Sequence, residues 1–104
     1  MKNNTVISVS IVGDSKIRKL NKKYLKRDYT TDVLSFNFDE EREDGTYFLG
    51  EIIVNKDQAA RQSAKYNNTL EQEISELVAH GVLHLLGVHH PDDDENTVHG
   101  IPVK

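Results

Sequence analysis

The hydrophobic pattern of the first half of the chain changes period twice. Residues 5–12 place apolar and polar side chains in near alternation, which predicts a β-strand. From about residue 14 to residue 25 the apolar positions recur every three or four residues, which predicts an amphipathic helix. Asp14 or Ser15 is expected to cap this helix. Residues 33–38 are branched and aromatic at most positions and predict a second strand.

Turn and capping residues divide the second half. The acidic stretch 39–45 ends in Asp-Gly, so it predicts a loop that joins the second strand to a third strand over 47–54 as a hairpin. Asp57 is expected to cap a helix that ends near residue 66. Thr69 and Gln72 then have the capping-box spacing of a long helix that stops at Gly87.

The element order β-α-β-β-α-α predicts an α+β fold in which a small mixed β-sheet packs against helices. The length of 104 residues suits a single domain over residues 1–104. From residue 77 to residue 86 nearly every position is apolar, glycine or histidine. Because a helix that is apolar on all sides is usually buried, we expect this segment to be a buried central helix.

The composition limits the possible metal ligands and the possible cellular compartment. The chain has no cysteine, so a bound metal needs histidine or carboxylate ligands, and the lack of disulfides fits a cytoplasmic protein. No apolar run approaches the roughly 20 residues of a membrane helix, so no membrane partner is expected. The alternating residues 5–12 are typical of a strand and not of a signal peptide.

The charges are unevenly distributed along the chain. Residues 1–31 hold eight Lys or Arg against two Asp, whereas residues 32–104 hold five against fifteen Asp or Glu. This asymmetry fits a surface that meets a polyanion, and it equally fits solvated charge that has segregated by chance. On the first predicted helix, four lysines share one face: Lys16, Lys19, Lys23 and Lys26.

Histidines mark the last predicted helix. His80 and His84 are four residues apart and project from the same side of a helix. Gly87 can end the helix and let the chain bring His90 to the same point. Three imidazoles leave a fourth position for water, as in a catalytic zinc site, so we expect one Zn²⁺ per chain. The alternative is two core histidines and an unrelated surface histidine. Two unsatisfied buried imidazoles would cost about 1–3 kcal/mol each, which favours the metal.

The same ligand spacing occurs in the metzincin zinc proteases, which carry a glutamate directly after the first histidine as general base. Gly81 occupies that position in this chain. Glycine has no group that accepts a proton from water. Peptide hydrolysis by that route is therefore disfavoured.

Three segments carry a specific resemblance. Residues 80–90, HGVLHLLGVHH, are similar to the signature H-G-x-L-H-L-x-G-x-D-H of the YbeY family. Residues 31–36, TDVLSF, and 49–54, LGEIIV, resemble two further strands of that family, and the similarity extends over residues 5–95. The resemblance implies a mixed sheet with helices and a zinc ion held by His80, His84 and His90. His89 stands where the family has aspartate, so it is a competing ligand to His90.

The resemblance also implies an activity: zinc-dependent, single-strand-specific endoribonuclease in the 3′-end maturation of small-subunit rRNA and in ribosome quality control. The implied partners are single-stranded RNA, the small ribosomal subunit, and a ribosomal protein or assembly GTPase. Many members have a catalytic arginine after the tyrosine that matches Tyr24, where this chain has Leu25. Arg27 is therefore the candidate catalytic cation, and the four lysines are the candidate RNA-binding residues.

Two other functions stay open at this point. In the first, zinc braces the fold of a non-catalytic assembly factor, and the basic helix docks on rRNA or on a ribosomal protein. In the second, the chain is a zinc hydrolase for a small substrate, although the basic helix then has no role. The acidic run at 92–95 is expected to begin a short C-terminal helix.

Overall fold

The computed structural model describes residues 4–87 and the backbone of residues 101–102. The elements agree with the predicted order, with one short additional strand near the end. They are β1 (Thr5–Val12), α1 (Asp14–Leu25), β2 (Val33–Glu41), β3 (Tyr47–Asn55), α2 (Lys56–Tyr66), α3 (Leu70–Leu85) and β4 (Ile101–Pro102). The expected C-terminal helix at 92–95 and its acidic run lie outside the described residues.

The strands form a mixed sheet in the order β1-β3-β2-β4. β1 runs parallel to β3, and β2 pairs antiparallel with β3 as the predicted hairpin. β4 pairs with β2 in parallel through two residues, a contact that no sequence pattern indicated. The α+β fold with a small mixed sheet is confirmed.

Helices cover both faces of the sheet. One apolar cluster joins α1 to the sheet through Ile17, Leu34, Phe36 and Ile53. The other cluster joins α2 and α3 to the opposite face, because neighbouring strand residues point to opposite sides. Its buried members are Val33, Leu49, Ile52, Val54, Ala59, Leu77 and Leu85. The near-continuous apolar run of β2 follows from burial of this strand on both faces.

β2 is longer than predicted and takes in the first part of the acidic stretch. The pairing register shifts between Asn37 and Glu40, and Asp39 adopts a left-handed backbone with φ of 51°. The strand then continues to Glu41, where its side chains are exposed. This end of β2 is stabilised by backbone pairing with β3 and not by burial of apolar side chains. The hydrophobic pattern of the sequence therefore does not reveal it.

α3 buries one face and not its whole circumference. The buried residues are Glu73, Leu77, Gly81, His84 and Leu85, whereas Ala79 is exposed and Leu86 is 45% exposed. The expectation of a helix buried on all sides is therefore not met. Within residues 4–87, the sheet and α2 cover α3, and its remaining side is exposed.

The capping prediction is confirmed for α3 and wrong for the two earlier helices. Thr69 and Gln72 form a reciprocal capping box at the start of α3. Asn55 caps α2 by accepting hydrogen bonds from the backbone N–H groups of Asp57 and Gln58, at 3.0 and 3.3 Å. The N-cap of α1 is Gly13, which has no side chain to accept such a bond.

The N-terminus of α1 is capped by a side chain from α2. Asp57 accepts a hydrogen bond from the backbone N–H of Asp14 at 2.9 Å. The Asp14 carboxylate in turn accepts bonds from Arg61 at 2.9 and 3.0 Å and from the Asn55 amide at 2.7 Å. The hydrogen bonds from Arg61, followed by that from Asn55, lower the pKa of Asp14. These contacts tie α1 to α2 at the end of β3.

Because the pKa of Asp14 is lowered in the folded state, its ion pair stabilises the fold above the ordinary carboxyl pKa of about 4 and is lost as the pH falls through the lowered value. Asp14→Asn should therefore lower the free energy of unfolding at pH 7. Near pH 3 the difference from wild type should shrink, because wild-type Asp14 then begins to lose its charge. Urea unfolding at both pH values measures this, and an unchanged difference at pH 3 would contradict it.

Candidate metal centre and nucleic-acid surface

The structure brings His80 and His84 together on one side of α3. Their ring centroids lie 4.2 Å apart with the ring planes at 68°. His84 is 2% exposed, and His80 is half-buried. The helical repeat produces this pairing, since residues four apart lie one turn above each other.

Gly81 permits α3 to lie close to the sheet. A Cβ atom at this position would stand 2.9 Å from Ile52 Cγ2 and 3.1 Å from Ser35 Oγ. Both atoms belong to strands beneath the helix. The glycine after the first histidine therefore has a packing role, in addition to removing the general base that the metzincin spacing would require.

Two polar side chains of β2 hold α3 in register. Ser35 Oγ donates to the carbonyl of Gly81 at 3.3 Å, and Asn37 Nδ2 donates to the carbonyl of Leu85 at 3.0 Å. Leu85 is the last helical residue, so Asn37 satisfies a carbonyl that has no partner within the helix. Gly87, with φ of 82°, follows directly. Sequence reasoning missed both residues, although polar side chains on alternate positions of an apolar strand were a usable signal.

Asp32 stands just before β2, within electrostatic range of His80. Burial raises the pKa of the Asp32 carboxyl, although hydrogen bonds from backbone N–H groups and the Gln62 side chain, and the charge of His80, act in the opposite direction. One carboxylate oxygen, Oδ1, is buried without a hydrogen-bond partner. An acceptor of this kind near a histidine pair suits a site that receives a cation.

The donor atoms fit a zinc site in part. Imidazole nitrogen is a preferred Zn²⁺ ligand, and His80 and His84 supply two that lie on one side of a helix. His90, the third predicted ligand, and His89, its competitor, lie outside the described residues. Within residues 4–87, no group of three His, Cys, Asp or Glu is arranged to hold a metal. The three-histidine site therefore stays a prediction, with two of its ligands together.

The candidate RNA-binding lysines lie on the other side of the sheet. Lys16, Lys19, Lys23 and Lys26 are all exposed, and α1 packs on the sheet face opposite to α3. Lys26 ends α1 with a left-handed backbone. The lysines thus form a surface of their own and do not line the histidine pair.

Beside Lys16, a groove of about 290 Å³ opens between α1 and the sheet. Tyr24 borders it, is 43% exposed, and meets the Phe36 ring edge-on with centroids 5.2 Å apart. Phe36 is only 4% exposed and belongs to the core. Tyr24 leaves part of its ring accessible next to the lysines.

The connection between α1 and β2 runs from the lysine-bearing helix to Asp32, just before β2. Leu25, at the position of the expected family arginine, packs into the apolar cluster beneath α1. Arg27 is half-buried in the connection, and its backbone N–H donates to the carbonyl of Asn21 at 3.4 Å. Asp32 closes the same connection near His80. Arg27 therefore belongs to the segment that begins at the end of the lysine-bearing helix and ends at Asp32, whose carboxyl is influenced by the charge of His80.

The fold and this site define a class of α+β protein in which a helix with paired histidines packs through a glycine against a mixed sheet. Residues 1–99 match the family model described as Endoribonuclease YbeY, and the chain belongs to this family. The resemblance found in the sequence is thereby confirmed. In residues 4–87, no helix has the length and apolar character needed to cross a membrane.

Named relatives agree with this assignment. The chain is 46% identical over 89 residues to the Endoribonuclease YbeY of Thermodesulfovibrio yellowstonii, covering 86% of this chain and 56% of that protein. It is 44% identical to that of Aquifex aeolicus, covering 89% and 61%. The solution structure of TM1509 from Thermotoga maritima has 36% identity and a TM-score of 0.56, covering 88% and 57%. The matched region thus spans less than two thirds of each of these relatives.

The close approach at Gly81 predicts a cost for any side chain there. Gly81→Ala should lower the free energy of unfolding by about 1–3 kcal/mol, because the added Cβ would overpack against Ile52 and Ser35. Ser75→Ala is the matched control, since it introduces alanine on the exposed face of the same helix and should be neutral or slightly stabilising. Denaturant unfolding compares the two variants. Equal stability of both would show that α3 does not depend on this contact.

Proposed function

We propose that this chain is a zinc-dependent, single-strand-specific endoribonuclease that matures the 3′ end of small-subunit rRNA and takes part in ribosome quality control. The observation that carries the proposal is the His80–His84 pair on α3, in a chain whose residues 1–99 match a family described as an endoribonuclease. The names of the relatives, Endoribonuclease YbeY, support the reaction class.

In this proposal His80, His84 and His90 hold one Zn²⁺. When bound, zinc supplies Lewis-acid chemistry to a phosphodiester. Ser35, Asn37 and Gly81 keep α3 at a fixed distance from the sheet, so they fix the direction of both helical histidines.

Arg27 is the proposed cation for the charge that develops on the phosphoryl oxygens. Its guanidinium stays charged at all relevant pH values and can bridge two oxygens. Lys16, Lys19, Lys23 and Lys26 bind the RNA backbone without reading its sequence, and the accessible part of Tyr24 stacks a base. A single-stranded RNA bound to the lysines of α1 reaches the histidines by crossing the connection that contains Arg27.

A role in rRNA maturation implies a cellular location and a set of partners. It implies the cytoplasm, where bacterial ribosomes are assembled. It also implies contact with the small ribosomal subunit and with a ribosomal protein or an assembly GTPase. The exposed lysines of α1 are a suitable surface for the rRNA part of such a contact.

The zinc proposal predicts that metal and RNA cleavage are lost together. Wild type should bind about one zinc per chain, whereas His84→Ala and His80→Ala should bind little and cleave single-stranded RNA at least about 10²-fold more slowly. His80 is the safer substitution for folding, because it is only half-buried. Elemental analysis and a cleavage assay measure both properties. Full zinc occupancy in both variants would refute the assignment.

The third ligand is tested in the same assay. His90→Ala should lose zinc, and His89→Ala should retain it. The reverse result would move the ligand by one residue and leave the helical pair in place.

A non-catalytic, zinc-stabilised assembly factor is the second candidate. The observation that favours it is the position of Leu25, whose partly buried side chain packs against the core cluster where an arginine is expected in the family. Zinc-loaded wild type distinguishes the two functions. Binding of single-stranded RNA without cleavage would establish the assembly factor, and cleavage would establish the enzyme.

Because the lysines and the histidines lie on opposite faces, RNA affinity should be separable from metal binding. Lys19→Glu with Lys23→Glu should weaken binding of any single-stranded RNA and reduce the slope of log affinity against log salt by about 1 to 1.5, with zinc content unchanged. Lys56→Glu with Lys65→Glu makes the same charge change on α2 and serves as control. If both pairs weaken binding equally, the effect reflects net charge and not the α1 surface.

A further inference from the structure

The groove between α1 and the sheet has a carboxylate on its floor. β1, β3 and β2 lie side by side and form this floor, and α1 forms the wall, with a volume of about 290 Å³ between them. The polar and aromatic side chains that line it are Ser10, Glu51, Phe36 and Phe38 of the strands and Lys16 and Tyr24 of the helix. Ser10, Glu51 and Phe38 keep part of their surface exposed, so a ligand can reach the floor from solvent.

Glu51 is the one charged side chain of β3, the strand that has a partner strand on each side. Placing a carboxylate on such a strand costs hydration, so an acidic side chain there needs polar partners. Ser10 supplies one, because its hydroxyl donates to Glu51 Oε1 at 3.2 Å. A carboxylate offers about four acceptor positions, so this hydroxyl leaves most of them for a ligand that donates hydrogen bonds.

The remaining groups define what kind of ligand fits. Tyr24 is 43% exposed, and Phe36 and Phe38 add two aromatic rings to the floor. Lys16 borders the groove, and Lys23 Nζ lies 5.2 Å from the centroid of the Tyr24 ring. Aromatic rings stack the bases of single-stranded RNA, and lysines bind the phosphates beside them. The volume is near the lower end of ligand pockets, about 300 Å³, which suits one base.

The carboxylate of Glu51 selects among the four bases, because it can only accept hydrogen bonds. On the Watson–Crick edge, guanine presents two adjacent donors, N1–H and N2–H, that match the two oxygens of a carboxylate. Adenine and cytosine present one amino donor beside a ring nitrogen that accepts, and uracil presents one N–H between two carbonyl oxygens. An acceptor that faces a carboxylate oxygen is repulsive, so guanine fits this floor best.

We propose that the groove is a guanine-binding subsite, in which Glu51 accepts hydrogen bonds from N1–H and N2–H of one unpaired guanine in a single-stranded RNA. Ser10 holds the carboxylate in place, Tyr24 stacks on the base, and Lys16 binds an adjacent phosphate. The inference rests on the proposed ribonuclease function. It adds a base preference to that function, which lysines that contact only phosphates cannot supply.

Fluorescence anisotropy with short oligouridines tests the subsite. The oligomers differ in one central nucleoside, which is guanosine, inosine or adenosine. Wild type should bind the guanosine oligomer at least about fivefold more tightly than the adenosine oligomer, as expected for one bidentate contact to a base. Inosine keeps N1–H and lacks the 2-amino group, so its oligomer should have an intermediate affinity. Equal binding of all three would overturn the subsite and leave the ribonuclease proposal standing, whereas binding of none would overturn both.

Glu51→Gln separates recognition of the base from the effect of charge. The variant replaces one acceptor oxygen with an amide donor of the same size, so the guanosine preference should vanish. Glu43→Gln removes the same charge from an exposed position between β2 and β3, and it should retain the preference. Circular dichroism checks that both variants are folded. A Glu51→Gln chain that keeps the preference, or a Glu43→Gln chain that loses it, would contradict the proposal.

Competition identifies the class of ligand that the groove takes. Guanosine 5′-monophosphate should displace the guanosine oligomer and shift the backbone amide signals of Ser10 and Glu51 in NMR spectra. Adenosine 5′-monophosphate should do so only at higher concentration. An arginine-rich peptide also offers paired donors to a carboxylate. If the peptide displaces the oligomer and guanosine 5′-monophosphate does not, the groove is a protein-binding site and the guanine assignment is wrong.

Discussion

The close contact between α3 and the two central strands sets the position of His80 and His84, which are the described residues of the candidate metal centre. Gly81 brings the helix backbone down onto Ile52 and Ser35, and the Ser35 hydroxyl bonds the carbonyl that the glycine exposes. Asn37 binds the carbonyl at the end of the helix. Two hydrogen bonds and one missing side chain thus fix both the height and the end point of the helix that carries His80 and His84.

The polar residues in this contact are placed at some energetic cost. The buried Ser35 and the half-buried Asn37 lose hydration, and they are tolerated because each makes a hydrogen bond in return. An apolar strand would pack against an apolar helix equally well in several registers. Polar bonds at two defined carbonyls select one register, and this register fixes the position of His80 and His84 above the strands.

The sheet also separates the basic side chains from the histidines. The lysines of α1 lie on one face, and the histidines of α3 lie on the other. The connection from α1 to β2 begins at the end of the lysine-bearing helix. It contains Arg27 and ends at Asp32, whose unpartnered buried oxygen lies near the histidine pair.

Much of this protein is determined locally and can be found in the sequence. The capping box at Thr69, the helical spacing of His80 and His84, and the apolar periods of the strands depend on residues that are close in the chain. Family membership also follows from contiguous segments, since motifs are themselves local. These features could be predicted because each is decided by neighbours within one turn or one strand.

Only the tertiary structure decided which residues cap α1 and α2, which side of α3 is buried, and on which face of the sheet the lysines and the histidines lie. Asp57 caps α1 from another helix, Asn55 takes the capping role expected of Asp57, and Leu25 turns into the core. Among residues 4–87, α3 keeps one exposed side because only the sheet and α2 pack against it, although its composition suggested complete burial. The lysines and histidines fall on opposite faces for a similar reason. Each of these outcomes depends on which distant segment packs against a residue, and the hydrophobic pattern of a single segment does not contain that information.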